Sequence, residues 1–248
     1  MENPSYIALA QQRALQRQMD VIANNVANVS TPGFRAERVM FRELISDKAT
    51  IPGLKGVGAR TSFAEEVGTL RDARTGGFER TGNPLDVALN GNGFFVVDTQ
   101  DGPRYTRFGA FRPDADGKLV NPEGHAVLSD GGQPITLRAG EGEIEIDRRG
   151  GLSGRDGPIG KFRIVRFENE QRLVKTGDGL YDAAGQDPLP ADDRIQVAQG
   201  SIEGSNVQGV LEITTMMELL RRYQSAQRLI EQEHERARKA IDKLSRLG

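Results

Sequence analysis

The carboxy-terminal part of this chain carries a spacing of apolar residues that is typical of one face of an α-helix. From Ile213 to Leu244, mostly apolar side chains recur at alternating steps of three and four residues without a slip, with Gln227 and His234 as the polar members. A pattern sustained for about four heptads favours a helix that packs along other helices, as in a coiled coil. At about 1.5 Å per residue, a helix from Val210 to Leu247 is on the order of 55 Å long, which exceeds what a small domain covers. The residues expected at its helix contacts are Ile213, Met216, Leu220, Tyr223, Ile230, Ile241 and Leu244.

The amino-terminal part carries a second seam of the same kind. Between Ser5 and Val29, apolar residues again recur at steps of about three and four. The sequence Asn3-Pro4-Ser5 suits the start of a helix, and Ser30-Thr31-Pro32-Gly33 suits its end. The side chains expected on the contact face are Leu15, Met19, Ile22, Val26 and Val29. The two helices can meet only if the chain between them returns close to its starting point.

The middle of the chain reads as all-β structure. Short apolar runs such as Phe94 to Val97 and Phe162 to Phe167 alternate with Gly, Pro, Asn and Asp, which favour turns. We therefore predict an α+β fold in which the N- and C-terminal helices pair as a coiled-coil-like domain and an all-β domain is inserted between them. The expected divisions are an N-terminal helix in residues 1–35, an extended connector with a possible β-hairpin in 36–82, a β-rich domain in 83–199 and a C-terminal helix in 200–248.

Composition disfavours several classes of function. The 33 basic and 35 acidic residues give a net charge of −2, without the basic excess that nucleic-acid binding requires. The chain has no cysteine, so disulfides and thiolate chemistry are excluded. No apolar stretch reaches the roughly 20 residues of a membrane-spanning helix, and we expect no membrane insertion. Arg13, Arg17 and Asp20 interrupt the beginning of the chain, so we expect no cleavable signal peptide.

The residue patterns of common catalytic and cofactor sites are not evident. His125 and His234 are the only histidines, and the second falls on the carboxy-terminal seam. The glycines Gly91 and Gly93 lead into a strand, whereas phosphate-binding loops lead into a helix. We therefore predict no catalytic residue, cofactor or metal. Two alternatives stay open: a β-rich enzyme such as a glycosidase, because carboxylates are abundant, and an adhesin-like or scaffold binding module.

Four segments of the chain have a distinctive composition of closely spaced polar residues, glycines and aromatic residues. They are ANNVANVSTPGFR from Ala23 to Arg35, NPLDVALNGNGFFV from Asn83 to Val96, RYTRFGAFRPDADGKLVNPEGHAVL from Arg104 to Leu128, and IEGSNVQGVLEITTMMELLRRYQSAQRLI from Ile202 to Ile230. In this order they resemble segments of the flagellar axial proteins, the family of rod and hook subunits. The matching motif residues are Asn24, Asn25, Asn28, Thr31, Gly33, Phe34, Asn83, Pro84, Leu85, Asp86, Gly93, Phe94, Phe95, Ser205, Asn206 and Val207.

The resemblance implies a structural subunit of the bacterial flagellar basal body that does no chemistry. The length favours a rod subunit, because hook subunits resemble this pattern but carry extra outer domains. The ends of the chain resemble proximal-rod members more than distal-rod members. A distal-rod protein or a hook-type axial protein remains the alternative. The family implies a tubular rod that crosses the periplasm and transmits torque, with paired terminal helices inside and the β domain outside. Its implied partners are other proximal and distal rod subunits and the flagellar type III export apparatus.

Overall fold

The computed structural model describes residues 3–46, 61–138, 140, 142–192 and 194–245, and the chain divides into two compact units. The helical unit comprises Met1–Ala27, Glu37–Leu70 and Gln208–Gly248. The β unit comprises Asn28–Ala36 and Arg71–Val207. This division assigns residues 28–36 and 71–82 to the β unit, whereas the sequence suggested a helix end and a connector there.

The helical unit contains the two expected helices. They are α1, Asn3–Ala27, and α2, Gly209–Ser245. The strands β1, Glu37–Ser46, and β2, Thr61–Arg71, follow α1 in sequence and form a two-stranded sheet. The helices pack against each other, and the Gln12 side-chain amide donates a 2.8 Å hydrogen bond to the Tyr223 hydroxyl. Helices at both ends around a β-rich middle confirm the α+β class.

The buried face of α2 differs from the predicted seam at alternate positions. Its buried side chains are Glu212, Leu219 and Ala226, and the half-buried Met216, Tyr223 and Ile230 lie between them at steps of four and three residues. The predicted Ile213 and Leu220 lie off this face and are 50% and 47% exposed. The predicted seam therefore mixed two faces of α2, because both faces are apolar in this part of the helix.

Four of the five residues expected on the contact face of α1 are buried or half-buried. Leu15 is buried, and Met19, Ile22 and Val26 are half-buried. Val29 is 39% exposed and lies beyond the end of α1 at Ala27, so its expected place on the contact face is wrong. The predicted side chains of Ile241 and Leu244 lie outside the described residues. In the described part of the chain, neither helix has both the length and the apolar character to span a membrane.

The β unit is built from short strands, in keeping with the many turn residues of its sequence. A 3-10 helix, η1, covers Glu170–Arg172. The strands are β3 Phe78–Arg80, β4 Val87–Asn90, β5 Phe94–Thr99, β6 Gly102–Thr106, β7 Arg112–Pro113, β8 Leu119–Val120, β9 Ala126–Val127, β10 Glu145–Ile146, β11 Gly151–Gly154, β12 Gly157–Lys161, β13 Ile164–Arg166, β14 Val174–Gly177, β15 Leu180–Asp182, β16 Leu189–Pro190, β17 Gln196–Gln199 and β18 Ser201–Glu203.

Strand β5 lies at the centre of the largest sheet. The sheet order is β14-β15-β6-β5-β9-β8-β7, with β13 paired to both β5 and β16. Phe95 and Val97 point into one apolar cluster and Phe94 and Val96 into another, as the two-residue period of a strand requires. Smaller sheets pair β11 with β10 and β12, β17 with β4, and β18 with β3. The β-rich middle of the prediction is confirmed.

Candidate functional site: the junction of the motif segments

The end of the amino-terminal motif and the start of the carboxy-terminal motif lie side by side in the β unit. The Gly33 amide donates to the Glu203 carbonyl at 2.7 Å. The Asn206 amide donates to the Phe34 carbonyl at 3.3 Å. The chain segments that enter and leave the β unit are therefore joined by backbone hydrogen bonds, although they are far apart in sequence. We call residues 33–36, 72–76 and 203–207, together with Arg107, the junction.

The Asn206 side chain connects the three segments of the junction by hydrogen bonds. Its side-chain oxygen accepts a 2.7 Å hydrogen bond from the Ala36 amide, and its NH2 group donates to the carbonyls of Asp72 and Arg74 at 3.2 and 2.8 Å. Only an amide side chain both donates and accepts in this way at neutral pH with no charge. The asparagine of the Ser205-Asn206-Val207 motif thus satisfies backbone groups that no regular sheet covers.

A buried ion pair lies under the junction. Arg107 and Glu203 are each 1% exposed, and Arg107 Nε donates to the Glu203 carboxylate at 2.7 Å. The guanidinium also donates to the carbonyls of residues 89, 91 and 93 at 2.6 to 2.9 Å. Burial lowers the pKa of Arg107 from its ordinary value, and the charge of Glu203 opposes this shift. Neither residue could be predicted from the sequence as a buried partner, because a charged side chain is expected to be exposed and 96 residues separate the two.

Gly33 occupies a position that a side chain would not fit. Its φ is +69°, a left-handed conformation that L-residues with a Cβ atom rarely adopt. A Cβ atom on Gly33 would lie 3.0 Å from the carbonyl carbon and from the Cβ of Arg107. A glycine therefore serves two purposes at this position: it adopts the left-handed conformation, and it permits close packing on Arg107.

The central motif residues support the β unit from within. The Asn83 side chain donates to the Asp86 carboxylate at 2.9 Å and closes a turn before β4. The Asp86 carbonyl accepts a 2.8 Å hydrogen bond from the Gly200 amide. A Cβ atom on Gly93 would lie 3.0 Å from Ile195 Cδ1, so this glycine leaves room for the Ile195 side chain. The following Phe94 and Phe95 are buried, while Pro84 and Leu85 belong to the turn.

Asn25 has an equivalent polar role in the helical unit. It is fully buried, and its amide exchanges two hydrogen bonds with the backbone of Glu37, at 2.8 and 2.9 Å, as a neighbouring β-strand would. Its NH2 group also lies 3.4 Å from the buried Glu212 carboxylate of α2. Asn25 therefore satisfies the backbone N–H and C=O of Glu37, twelve residues further along the chain. Asn28 instead accepts from the Thr31 hydroxyl at 3.1 Å.

Replacing Asn25 with alanine should destabilise the helical unit by about 2 to 3 kcal/mol, because it leaves the Glu37 N–H and C=O without their partner. The neighbouring Asn24 is exposed and is the matched control. Asn24→Ala should change stability by less than about 1 kcal/mol, because the side chain is exposed. Urea unfolding followed by far-ultraviolet circular dichroism measures both. Equal effects of the two substitutions would contradict the role given to Asn25.

The described residues present no evident reaction centre. His125 lies in the β unit, and His234 is exposed on α2. Among these residues, no group of three or more His, Cys, Asp or Glu side chains is arranged to hold a metal ion. The polar side chains of the junction instead form hydrogen bonds to backbone groups, so their role is structural.

Comparison with known proteins identifies the family. Family models match residues 7–35 (Flagella basal body rod protein), 88–154 (Flagellar hook protein FlgE/F/G D1 domain) and 198–243 (Flagellar basal body rod FlgEFG protein C-terminal). The chain is 36% identical to the flagellar basal-body rod protein FlgF of Caulobacter vibrioides over all of both chains. It is 35% identical to FlgF of Mesorhizobium japonicum over 98% of each. FlgG of Agrobacterium fabrum is 32% identical over 90% of this chain and 92% of its own. The chain therefore belongs to the flagellar basal-body rod proteins, most like those named FlgF, and is a structural protein of the basal-body rod.

Proposed function

We propose that this chain is a subunit of the proximal part of the rod, that it assembles with other rod subunits through its terminal helices, and that it has no catalytic activity. The two FlgF proteins named above are more similar to this chain than the FlgG protein named beside them, which supports the proximal position. The resemblance to proximal-rod members implies the same position. The flagellar type III export apparatus is the proposed route of delivery. A family of structural rod proteins, rather than of enzymes, supports the absence of catalysis.

A second apolar face on α2 carries the assembly proposal. Val210 is 80% exposed, and Ile213, Met217 and Leu220 are about half exposed. They recur at steps of three, four and three residues, which is the spacing of a helix contact. We call these four residues the α2 stripe. Because α1 packs on the other apolar face, the α2 stripe is available for a helix of another subunit.

The α2 stripe is large enough to contribute to assembly. Fully burying an aliphatic side chain contributes about 1.5 to 3 kcal/mol. Because three of the four side chains retain about half of their surface and Val210 retains more, covering them yields on the order of 3 to 6 kcal/mol per contact. Apolar residues at regular spacing on an exposed helix face are typical of a contact with a partner.

Substitutions of two adjacent leucines distinguish an effect on folding from an effect on assembly. Leu219 is 5% exposed on the face buried within the chain, and Leu220 is 47% exposed on the α2 stripe. We expect Leu220→Asp to leave the unfolding of the isolated chain within about 0.5 kcal/mol of wild type, yet to abolish rod assembly. Leu219→Asp should instead destabilise the helical unit by about 3 to 5 kcal/mol, because it places a carboxylate in an apolar contact. Thermal melts of the purified chain, swimming in soft agar and isolation of basal bodies measure the two effects.

The exposed Ser225 provides the control, since it lies on another side of α2. Ser225→Asp adds the same charge, and it should alter neither the melt nor the yield of rods. Normal rods in a strain that carries Leu220→Asp would show that the α2 stripe is not an assembly surface. The absence of the wild-type chain from purified basal bodies would overturn the proposed function itself.

A further inference from the structure

A cationic groove lies at the amino end of β5 in the β unit. It is a cavity of about 770 Å³ that opens between β13, β16 and the turns at residues 130–132 and 148–149. The charged residues that line it are the cations Arg148, Arg149, Lys161 and Arg163 and the carboxylates Asp130 and Asp192. Asp192 also has Arg194 at 3.7 Å, which reduces its effect on the groove. The groove therefore carries a net positive charge.

The pairing of strands fixes the position of this groove along β5. Two residues of its lining, Val165 and Ile164, pair with Phe94 and Phe95 at the start of β5. The turn that begins at Asp130 belongs to the same end, because its amide donates to the Lys161 carbonyl at 2.9 Å.

Exposed carboxylates gather at the opposite end of β5. Asp98 pairs with Ala126 and Pro103 near the end of the strand, and Asp101 lies in the turn that follows. Glu123 lies in the turn that leads into β9, next to this end, and all three carboxylates are exposed. Two cations lie nearby. Arg112 donates to the Pro122 carbonyl at 3.0 Å, and Arg104 donates to the Pro103 carbonyl at 3.2 Å and pairs with Asp182 at 3.1 Å. We call Asp98, Asp101 and Glu123 the acidic turns.

The groove and the acidic turns are too far apart to neutralise each other within one chain. From Phe94 to Asp98, β5 extends about 14 Å at 3.4 Å per residue, which exceeds the screening length of about 8 Å at physiological ionic strength. Opposite charges at two ends of one unit match those of a second copy placed end to end. A contact between two different patches joins copies into a ring or an open filament and does not close as a symmetric dimer.

We propose that β units of successive copies of this chain join head to tail, with the acidic turns of one copy seated in the cationic groove of the next. This inference rests on the proposed function of the chain as an assembling subunit. The contact is electrostatic, and it is therefore distinct from the apolar α2 stripe. Charge complementarity of this kind selects the partner and its orientation more than it adds affinity.

Cysteine cross-linking tests the contact directly, because the chain has no cysteine of its own. Gln100→Cys places a thiol at the exposed acidic turns. Gly131→Cys places a thiol at the groove, where a Cβ atom meets only Ser129 Oγ at 3.9 Å. Two full-length single-cysteine chains with different tags are mixed and treated with a short bifunctional maleimide, as purified protein and in cells that lack the wild-type chain. We expect a mixed cross-linked dimer that neither single-cysteine chain forms alone.

Charge-reversal variants then test whether the cross-link depends on the proposed electrostatic contact or only on chance encounters between chains. Arg148→Glu with Lys161→Glu, introduced into both chains, should reduce the mixed cross-link at least fivefold, and so should Asp101→Lys with Glu123→Lys. Reversal of both ends together should restore it. A cross-link that is absent, or that is indifferent to these reversals, overturns the head-to-tail contact while the chain is still found in basal bodies. Absence of the chain from basal bodies overturns the proposed function instead, and the cross-link on purified protein then decides this inference by itself.

Discussion

Replacing Arg107 with methionine is expected to lower the free energy of unfolding of the β unit by about 3 to 5 kcal/mol. The guanidinium satisfies the buried Glu203 carboxylate and three backbone carbonyls between residues 89 and 93. Methionine fills much of the same volume but leaves the carboxylate as an uncompensated buried charge. The cost therefore arises mainly from the groups left behind and not from lost packing.

Buried tyrosines make this prediction measurable in the full-length chain. Tyr105 and Tyr181 are 5% and 3% exposed in the β unit, so near-ultraviolet circular dichroism during urea unfolding reports on that unit. Adding Glu203→Gln to Arg107→Met should recover at least about 1 kcal/mol, because it removes the uncompensated charge. Arg155→Met, at an exposed turn, is the matched control and should change stability by less than about 0.5 kcal/mol. A loss below about 1 kcal/mol for Arg107→Met would contradict the importance of the ion pair.

The sequence predicted the helices but not which of their faces meet within one chain. Leu219 and Leu220 are adjacent and equally apolar, yet the first is buried and the second is half exposed. A three-four spacing can be drawn through either residue, because α2 has apolar residues on two neighbouring faces. The assignment depends on where α1 packs, which is a tertiary property. The buried Glu212 shows the same limit, since a charged residue is not expected on a contact face.

Local chemistry explains why other parts of the prediction succeeded. Gly33 follows a proline at the end of a helical pattern, and the need for a left-handed residue there can be inferred from its neighbours alone. The role of Asn206 depends on Ala36 and on Asp72, which are 170 and 134 residues away. Its motif was recognised through resemblance, but its hydrogen bonds required the fold. The role of a residue can thus be predicted when it depends on its sequence neighbours, and it cannot be predicted when it depends on residues far away in sequence.

Replacing Gly33 with valine is expected to destabilise the β unit by about 2 to 5 kcal/mol. A β-branched residue at positive φ costs about 1 to 3 kcal/mol, and forcing a side chain into a filled space costs a similar amount. The new Cβ atom would meet the backbone of Arg107 at 3.0 Å, where no flexible side chain can move away. Relief of this contact requires residue 33 to move, which stretches the 2.7 Å hydrogen bond to the Glu203 carbonyl. In cells, rod assembly should fail.

Gly82 separates the two costs, because it has the same kind of backbone but open space around it. Its φ is +76°, its amide also donates to a carbonyl, and a Cβ atom there would meet nothing within 4 Å. Gly82→Val should therefore lower the free energy of unfolding only by the cost of its backbone conformation, about 1 to 3 kcal/mol. The additional loss of stability in Gly33→Val then measures the collision with Arg107. Both substitutions disturb Arg107, so the effects of Gly33→Val and Arg107→Met on stability should be non-additive. The double variant should lose at least about 0.5 kcal/mol less stability than the sum of the two single losses. Equal losses at the two glycines, or strict additivity with Arg107→Met, would show that Gly33 is required for its conformation alone and does not couple the incoming chain to the buried ion pair.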